Sequence, residues 1–118
     1  MSRCHWLDLC LLDELPDGAA RGFDPFAEGR DALFIVRRGE RLNAYRNRCP
    51  HQGASLPWQR NAYLNADGSR IVCSAHGARF DIDSGQCTSG PALGRSLEKV
   101  VISIAEAGSV RARLPDNS

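Results

Sequence analysis

Two short segments of the sequence each place a cysteine close to a histidine. The first is Cys49-Pro50-His51 and the second is Cys73-Ser74-Ala75-His76. Thiolate sulfur and neutral imidazole nitrogen are ligands for iron and zinc. The two segments therefore predict one metal site with two sulfur and two nitrogen ligands.

Zinc and an iron–sulfur cluster are the two metal groups that this ligand set suits. Two cysteines and two histidines form a common structural zinc site, but there the cysteines usually share one turn and the histidines share a helix. Here each segment carries one ligand of each kind. The mixed pairing favours the cluster, and a zinc-stabilised interaction domain remains the less favoured alternative.

The residues that follow each pair resemble those of the Rieske iron–sulfur family. The two segments continue as Cys49-Pro-His-Gln-Gly-Ala and Cys73-Ser-Ala-His-Gly-Ala-Arg-Phe. In that family two cysteines hold one iron of a [2Fe–2S] cluster and two histidines hold the other. The resemblance implies that Cys49 and Cys73 bind one iron and that His51 and His76 bind the second. It also implies a third, proline-bearing loop over the cluster, which Gly90-Pro91-Ala92-Leu93-Gly94 matches.

Four further positions indicate a branch of the family with a low reduction potential. Respiratory Rieske proteins carry a disulfide where this chain has Ala54 and Ala75, and they carry a serine and a tyrosine where it has Ala78 and Phe80. The two missing hydroxyls donate hydrogen bonds to cluster sulfur in those proteins. We therefore expect a potential in the lower part of the Rieske range of about −150 to +300 mV.

Short β-rich runs separated by turn residues must position these ligands. Glycine, proline, asparagine and aspartate recur between apolar runs of strand length, and no segment has the pattern of a long amphipathic helix. The predicted strands are Trp6–Leu12, Ala32–Arg37, Leu42–Arg46, Tyr63–Asn65, Arg70–Cys73, Arg79–Ile82, Leu97–Ala105 and Val110–Leu114. Predicted hairpin turns lie at residues 38–41, 66–69, 83–86 and 106–109. The expected fold is all-β: a Rieske-type antiparallel β-sandwich with a small cluster-binding subdomain, at about residues 47–92, formed by two hairpin loops.

Length and composition limit the remaining possibilities. The 118 residues predict a single domain, residues 1–118. A net charge of +1 argues against nucleic acid as a partner, and no apolar run is long enough to span a membrane. Five cysteines, two of them assigned to the metal, do not form a disulfide framework. Together with the absence of an export signal, this predicts a cytoplasmic protein, and we expect a monomer.

The resemblance predicts a one-electron carrier and not an enzyme. Rieske oxygenases add a catalytic iron held by two histidines and a carboxylate, whereas this chain has only His5 besides the two predicted ligands. We therefore expect a Rieske-type ferredoxin that passes electrons from a reductase to a terminal oxygenase. An electron-relay subunit of a multi-subunit reductase, of the nitrite-reductase small-subunit type, is the alternative.

The redox partners are expected to dock transiently at the tip that carries His51 and His76. Apolar residues near the ligands could contact a partner or shield the cluster from water: Leu56, Pro57, Trp58, Pro91 and Leu93. Arg48 and Arg79 adjoin the ligand loops and are predicted to attract an acidic partner surface.

Overall fold

The computed structural model describes residues 4–50, 55–57, 61–75 and 77–115. Within these ranges the chain forms nine β-strands and one short 3₁₀ turn at Leu12–Glu14. The strands are β1 Cys4–Leu11, β2 Ala20–Phe23, β3 Leu33–Arg38, β4 Arg41–Arg46, β5 Arg70–Val72, β6 Arg79–Asp81, β7 Cys87–Ser89, β8 Val101–Ile104 and β9 Ser109–Pro115. None of the described segments is a helix long and apolar enough to cross a membrane.

The strands form three antiparallel sheets of three strands each, in the orders β1-β9-β8, β2-β3-β4 and β5-β6-β7. The predicted all-β antiparallel fold is confirmed. The turns at 38–41, 83–86 and 106–109 join β3 to β4, β6 to β7 and β8 to β9. The fourth predicted turn, at 66–69, reverses the chain between the isolated bridge residue Leu64 and β5.

Strand β3 lies between two buried clusters. Its residues 33–36 are completely buried, and because strand side chains alternate in direction they divide between the clusters. Phe34 and Val36 pack in the first cluster with residues of the β5-β6-β7 sheet. Leu33 and Ile35 pack in the second cluster with residues of β1 and β9. The β2-β3-β4 sheet is therefore a middle layer, and the predicted ligand cysteines belong to the first cluster.

The prediction of one long strand at Leu97–Ala105 is wrong, because only Val101–Ile104 forms a strand there. Lys99 makes an isolated bridge to Tyr45 in β4, whereas β8 pairs with β9. The chain passes from the middle sheet to an outer sheet within a few residues, and one regular ladder cannot pair with both.

Three other differences concern short elements. The predicted strand Tyr63–Asn65 is reduced to one bridge between Leu64 and Ile71. Strands β2 and β7 were not predicted, and each is only three or four residues long. Such short strands are stabilised by their neighbours in the sheet and carry little alternation of their own.

Candidate metal centre

Cys73, the sulfur ligand of the second predicted pair, lies at the tip of the β5–β6 hairpin. Val72, the last residue of β5, pairs with Arg79, the first residue of β6. Between them, the Cys73 N–H donates to the Ala78 carbonyl and the Gly77 N–H donates to the Cys73 carbonyl, both at 2.9 Å. Gly77 has a φ of +73°, a left-handed conformation that favours glycine. The second ligand loop comprises residues 73–78, and its described residues, 73–75 and 77–78, belong to a tight hairpin loop, as the sequence predicts.

The first predicted pair follows the end of β4. Strand β4 ends at Arg46 and Cys49 comes three residues later. Residues 47–57 form the first ligand loop, of which the structure describes 47–50 and 55–57.

The two predicted sulfur ligands are both buried in the first cluster. Cys49 is 2% exposed and Cys73 is completely buried, and both pack in the same cluster of apolar side chains. His51 and His76 lie outside the described residues. Within the described part of the chain, no three potential ligands of the histidine, cysteine, aspartate or glutamate type form a group. The two predicted sulfur ligands therefore belong to the same buried cluster of side chains.

The surroundings of the two cysteines suit a sulfide cluster. Their buried neighbours include Leu56, Ala78 and Phe80, which have no side-chain charge and no hydroxyl. Soft thiolate ligands in an apolar setting fit an iron–sulfur group. Leu56 is fully buried and cannot contact a partner, so of the two roles predicted for it only shielding agrees with the structure.

The third predicted loop, residues 90–94, contacts the second ligand loop, and Arg95, the residue after it, contacts the first. The Arg95 Nη1 donates to the Pro50 carbonyl of the first ligand loop at 2.8 Å. A Cβ atom added to Gly90 would lie 2.8 Å from the Ala78 Cα of the second ligand loop. The loop also exposes Leu93, which has 67% of its surface accessible. Nothing in the ligand motif indicates the contact made by Arg95, which sequence reasoning missed.

Asn47 is a second residue that sequence reasoning missed. It is 5% exposed, and it is the buried polar residue among the described side chains. Its amide bonds to residues 31, 55 and 56, and so it closes the first ligand loop. No sequence pattern distinguishes a buried asparagine near a cysteine from an exposed one.

The charged residues around the loops are arginines. Arg48, Arg79 and Arg95, here called the loop arginines, are exposed. None of the three forms an ion pair with another described residue. The described surface beside the ligand loops therefore carries unpaired positive charge.

Comparisons with known proteins agree with this architecture. A family model described as the Rieske [2Fe–2S] domain matches residues 5–109. The oxygenase subunit of phthalate 4,5-dioxygenase from Pseudomonas putida is 33% identical over 107 residues, covering 85% of this chain and 22% of that protein. The ferredoxin component of the naphthalene 1,2-dioxygenase/salicylate 5-hydroxylase systems from Ralstonia sp is 29% identical over 87 residues, covering 74% of this chain and 76% of that protein. A solved complex of reduced oxygenase and oxidized ferredoxin in carbazole 1,9a-dioxygenase contains a chain with 27% identity and a TM-score of 0.70, covering 91% of this chain and 91% of that one.

Proposed function

Because this chain belongs to the Rieske [2Fe–2S] family, whose domains bind a [2Fe–2S] cluster, we propose that Cys49, His51, Cys73 and His76 are its ligands. The observation that carries the proposal is the burial of both cysteines in one apolar cluster, at the start of two loops that meet. Each cysteine has a histidine two or three residues later in the sequence. Residues 47–92 are the proposed cluster-binding subdomain of a single domain.

The proposed function is one-electron transfer from a reductase to a terminal oxygenase. When bound, the cluster accepts and releases a single electron, and its neutral histidine ligands raise the potential above that of all-cysteine ferredoxins. A ferredoxin component of a dioxygenase system and a structure of an oxygenase with its ferredoxin are both similar to this chain. The protein is proposed to have no substrate site of its own.

A second candidate is the electron-transfer domain of an oxygenase. It is favoured by the 33% identity to the oxygenase subunit of phthalate 4,5-dioxygenase, of which this chain spans 22%. The chain spans 76% of its ferredoxin relative. Electron transfer measured with the purified chain and a separate oxygenase distinguishes the two, because a carrier must dissociate and turn over many times.

The surface around the ligand loops supports transient docking of a redox partner. The exposed side chain of Leu93 offers apolar contact area two residues before Arg95 in the chain. Unpaired positive charge accelerates association with an acidic surface. We propose that the oxygenase presents such a surface to the third loop and the first ligand loop.

Other parts of the proposal concern the state of the protein in the cell. We propose a cytoplasmic monomer that binds neither nucleic acid nor membrane, supported by a net charge of +1. Light scattering of the purified protein checks the monomer, and a stable dimer would contradict it.

Visible absorption and EPR of the dithionite-reduced protein test the cluster. The oxidised protein should be red-brown and the reduced protein should give a Rieske-type EPR signal, whereas bound zinc would be colourless and EPR-silent. Cys49→Ser and Cys73→Ser should lose both signatures. Cys10→Ser and Cys87→Ser are controls, because both cysteines are buried on strands outside the ligand loops, Cys10 in the second cluster and Cys87 in the first. Retention of the cluster by both ligand variants would refute the ligand set.

A further inference from the structure

Both polar atoms of the Asn47 side chain are hydrogen-bonded within the protein. Its Nδ2 donates to the Asp31 carbonyl at 3.1 Å and to the Ser55 Oγ at 2.7 Å. Its Oδ1 accepts a hydrogen bond from the Leu56 N–H at 2.8 Å. Both amide hydrogens and the amide oxygen are therefore paired, which is what a buried amide requires. The three bonds tie the start of the first ligand loop to its end and to the residues before β3.

One path of hydrogen bonds leads from Asn47 to the residue after Cys73. Leu56, which donates its N–H to Asn47, accepts a hydrogen bond at its carbonyl from the Ser74 N–H at 2.8 Å. Two bonds through one buried residue thus connect the Asn47 side chain to the backbone of the second ligand loop.

A second path leads from Asn47 to the residue before Cys73. Asp31, whose carbonyl accepts from Asn47, also accepts a hydrogen bond at Oδ2 from the Tyr63 hydroxyl at 2.7 Å. The Tyr63 carbonyl accepts from the Val72 N–H at 2.8 Å. Gly22 packs against this pair so closely that an added Cβ would lie 2.6 Å from the Tyr63 hydroxyl. The two paths therefore end on the two neighbours of Cys73 in the chain.

From this convergence we propose that Asn47 is a positioning residue that holds Cys49 in place relative to Cys73. Asn47 lies two residues before Cys49, and its two paths reach both sides of Cys73. Cluster ligands must be held in a defined geometry by surrounding hydrogen bonds. Asn47 links the backbones of both ligand loops, and its own amide is fully used in hydrogen bonds to protein atoms. The inference rests on the proposed ligand set.

The test compares Asn47→Leu with Asn43→Leu. Leucine has nearly the shape of asparagine but neither donates nor accepts a hydrogen bond. Asn43 is a matched control because it lies on β4, is only half-buried and makes one long side-chain bond, 3.4 Å to Asp83. Hydrogen exchange of the cluster-loaded protein reports on the amides of residues 70–75. Loss of visible absorption in the presence of a chelator and the EPR g values report on the cluster.

In Asn47→Leu we expect faster exchange confined to the two ligand loops, and cluster loss on the order of tenfold faster, because buried groups lose their partners. The EPR g values should shift, and Asn43→Leu should match the wild type in all three measurements. A folded Asn47→Leu protein with wild-type exchange at residues 70–75 would overturn the proposal. Equally faster exchange throughout the chain, β1 and β9 included, would also overturn it by assigning Asn47 a general structural role.

Tyr63→Phe provides a second variant in case Asn47→Leu does not fold. It removes only the hydroxyl bond to Asp31, and we expect faster exchange at Val72 with a smaller effect on cluster loss. Unchanged exchange and unchanged cluster lifetime in Tyr63→Phe would then reject the proposal. Failure of the ligand set is distinguishable, because it would appear in the EPR spectrum of the wild-type protein, whereas the exchange comparison does not depend on which residues bind iron.

Discussion

The reduction potential of the iron–sulfur cluster should rise when hydroxyl groups are added to two buried side chains near the proposed ligands. The perturbation is the double variant Ala78→Ser with Phe80→Tyr. Both residues are completely buried in the first cluster of side chains, which also contains Cys49 and Cys73. Ala78 also accepts the Cys73 N–H at 2.9 Å, so it lies directly beside a proposed ligand. A hydroxyl at either position is shielded from water. It can donate a hydrogen bond to sulfur of the iron–sulfur cluster, which gains negative charge on reduction.

The magnitude follows from the difference between a neutral and a charge-assisted hydrogen bond. A bond to a charged acceptor is worth about 1–2 kcal/mol more than a neutral one. For a one-electron couple this converts to about 40–90 mV for each bond. The double variant should therefore have a midpoint potential higher than the wild type by on the order of 0.1 V, and each single variant should give part of the shift.

Redox titration followed by EPR or visible absorption measures the potential. The control is Ala44→Ser with Phe23→Tyr, which adds the same two hydroxyls to buried positions in the second cluster. An unpartnered buried hydroxyl costs stability, about 1–3 kcal/mol, and so the control should unfold more easily without a change in potential. A correctly folded test variant whose potential equals that of the wild type would refute the reasoning.

Three further predictions concern the third loop, the tyrosines and the surface charge. Gly90→Ala should destabilise the fold by about 1–3 kcal/mol more than Gly94→Ala, since both have φ near +90° but only Gly90 lies against the second ligand loop; equal unfolding free energies in denaturant would contradict this. Burial raises the pKa of Tyr45 to about 12 and also raises the pKa of Tyr63. The stability that the neutral hydroxyls contribute is therefore complete below the tyrosine pKa of the unfolded chain, about 10, and is lost as the pH rises through the pKa of the folded protein. These are the only two tyrosines of the chain, and a tyrosinate absorption step near pH 10 in the folded protein would be the contrary result. Electron-transfer rates to an oxygenase should fall as the salt concentration increases, and Arg79→Gln should weaken this salt dependence. Salt-independent rates would exclude electrostatic attraction.

The sequence predicted the parts of the fold that depend on local pattern. The turns at 38–41, 83–86 and 106–109 carry glycine at the required positions, and Gly39, Gly85 and Gly108 all have positive φ. Such turns are encoded by a few adjacent residues. For the same reason the second ligand loop could be recognised as a hairpin tip from its flanking strands.

The features that were missed depend on residues far apart in the sequence. Strand β2 exists because it pairs with β3, and within it Gly22 is required by the close approach of Asp31 and Tyr63. The bond from Arg95 to Pro50 joins residues 45 positions apart. No local periodicity carries such information, because the partner is chosen by tertiary packing.

These long-range contacts also explain how two loops with little regular structure can form a rigid site. The first ligand loop is closed by Asn47 and held from the outside by Arg95. The second is closed by its own hairpin bonds and covered by Gly90. An electron carrier benefits from this arrangement, because dipoles that are already fixed around a redox group need little rearrangement when its charge changes. The cysteine–histidine motif thus supplies the proposed iron ligands, while residues outside the motif hold the loops that carry those ligands.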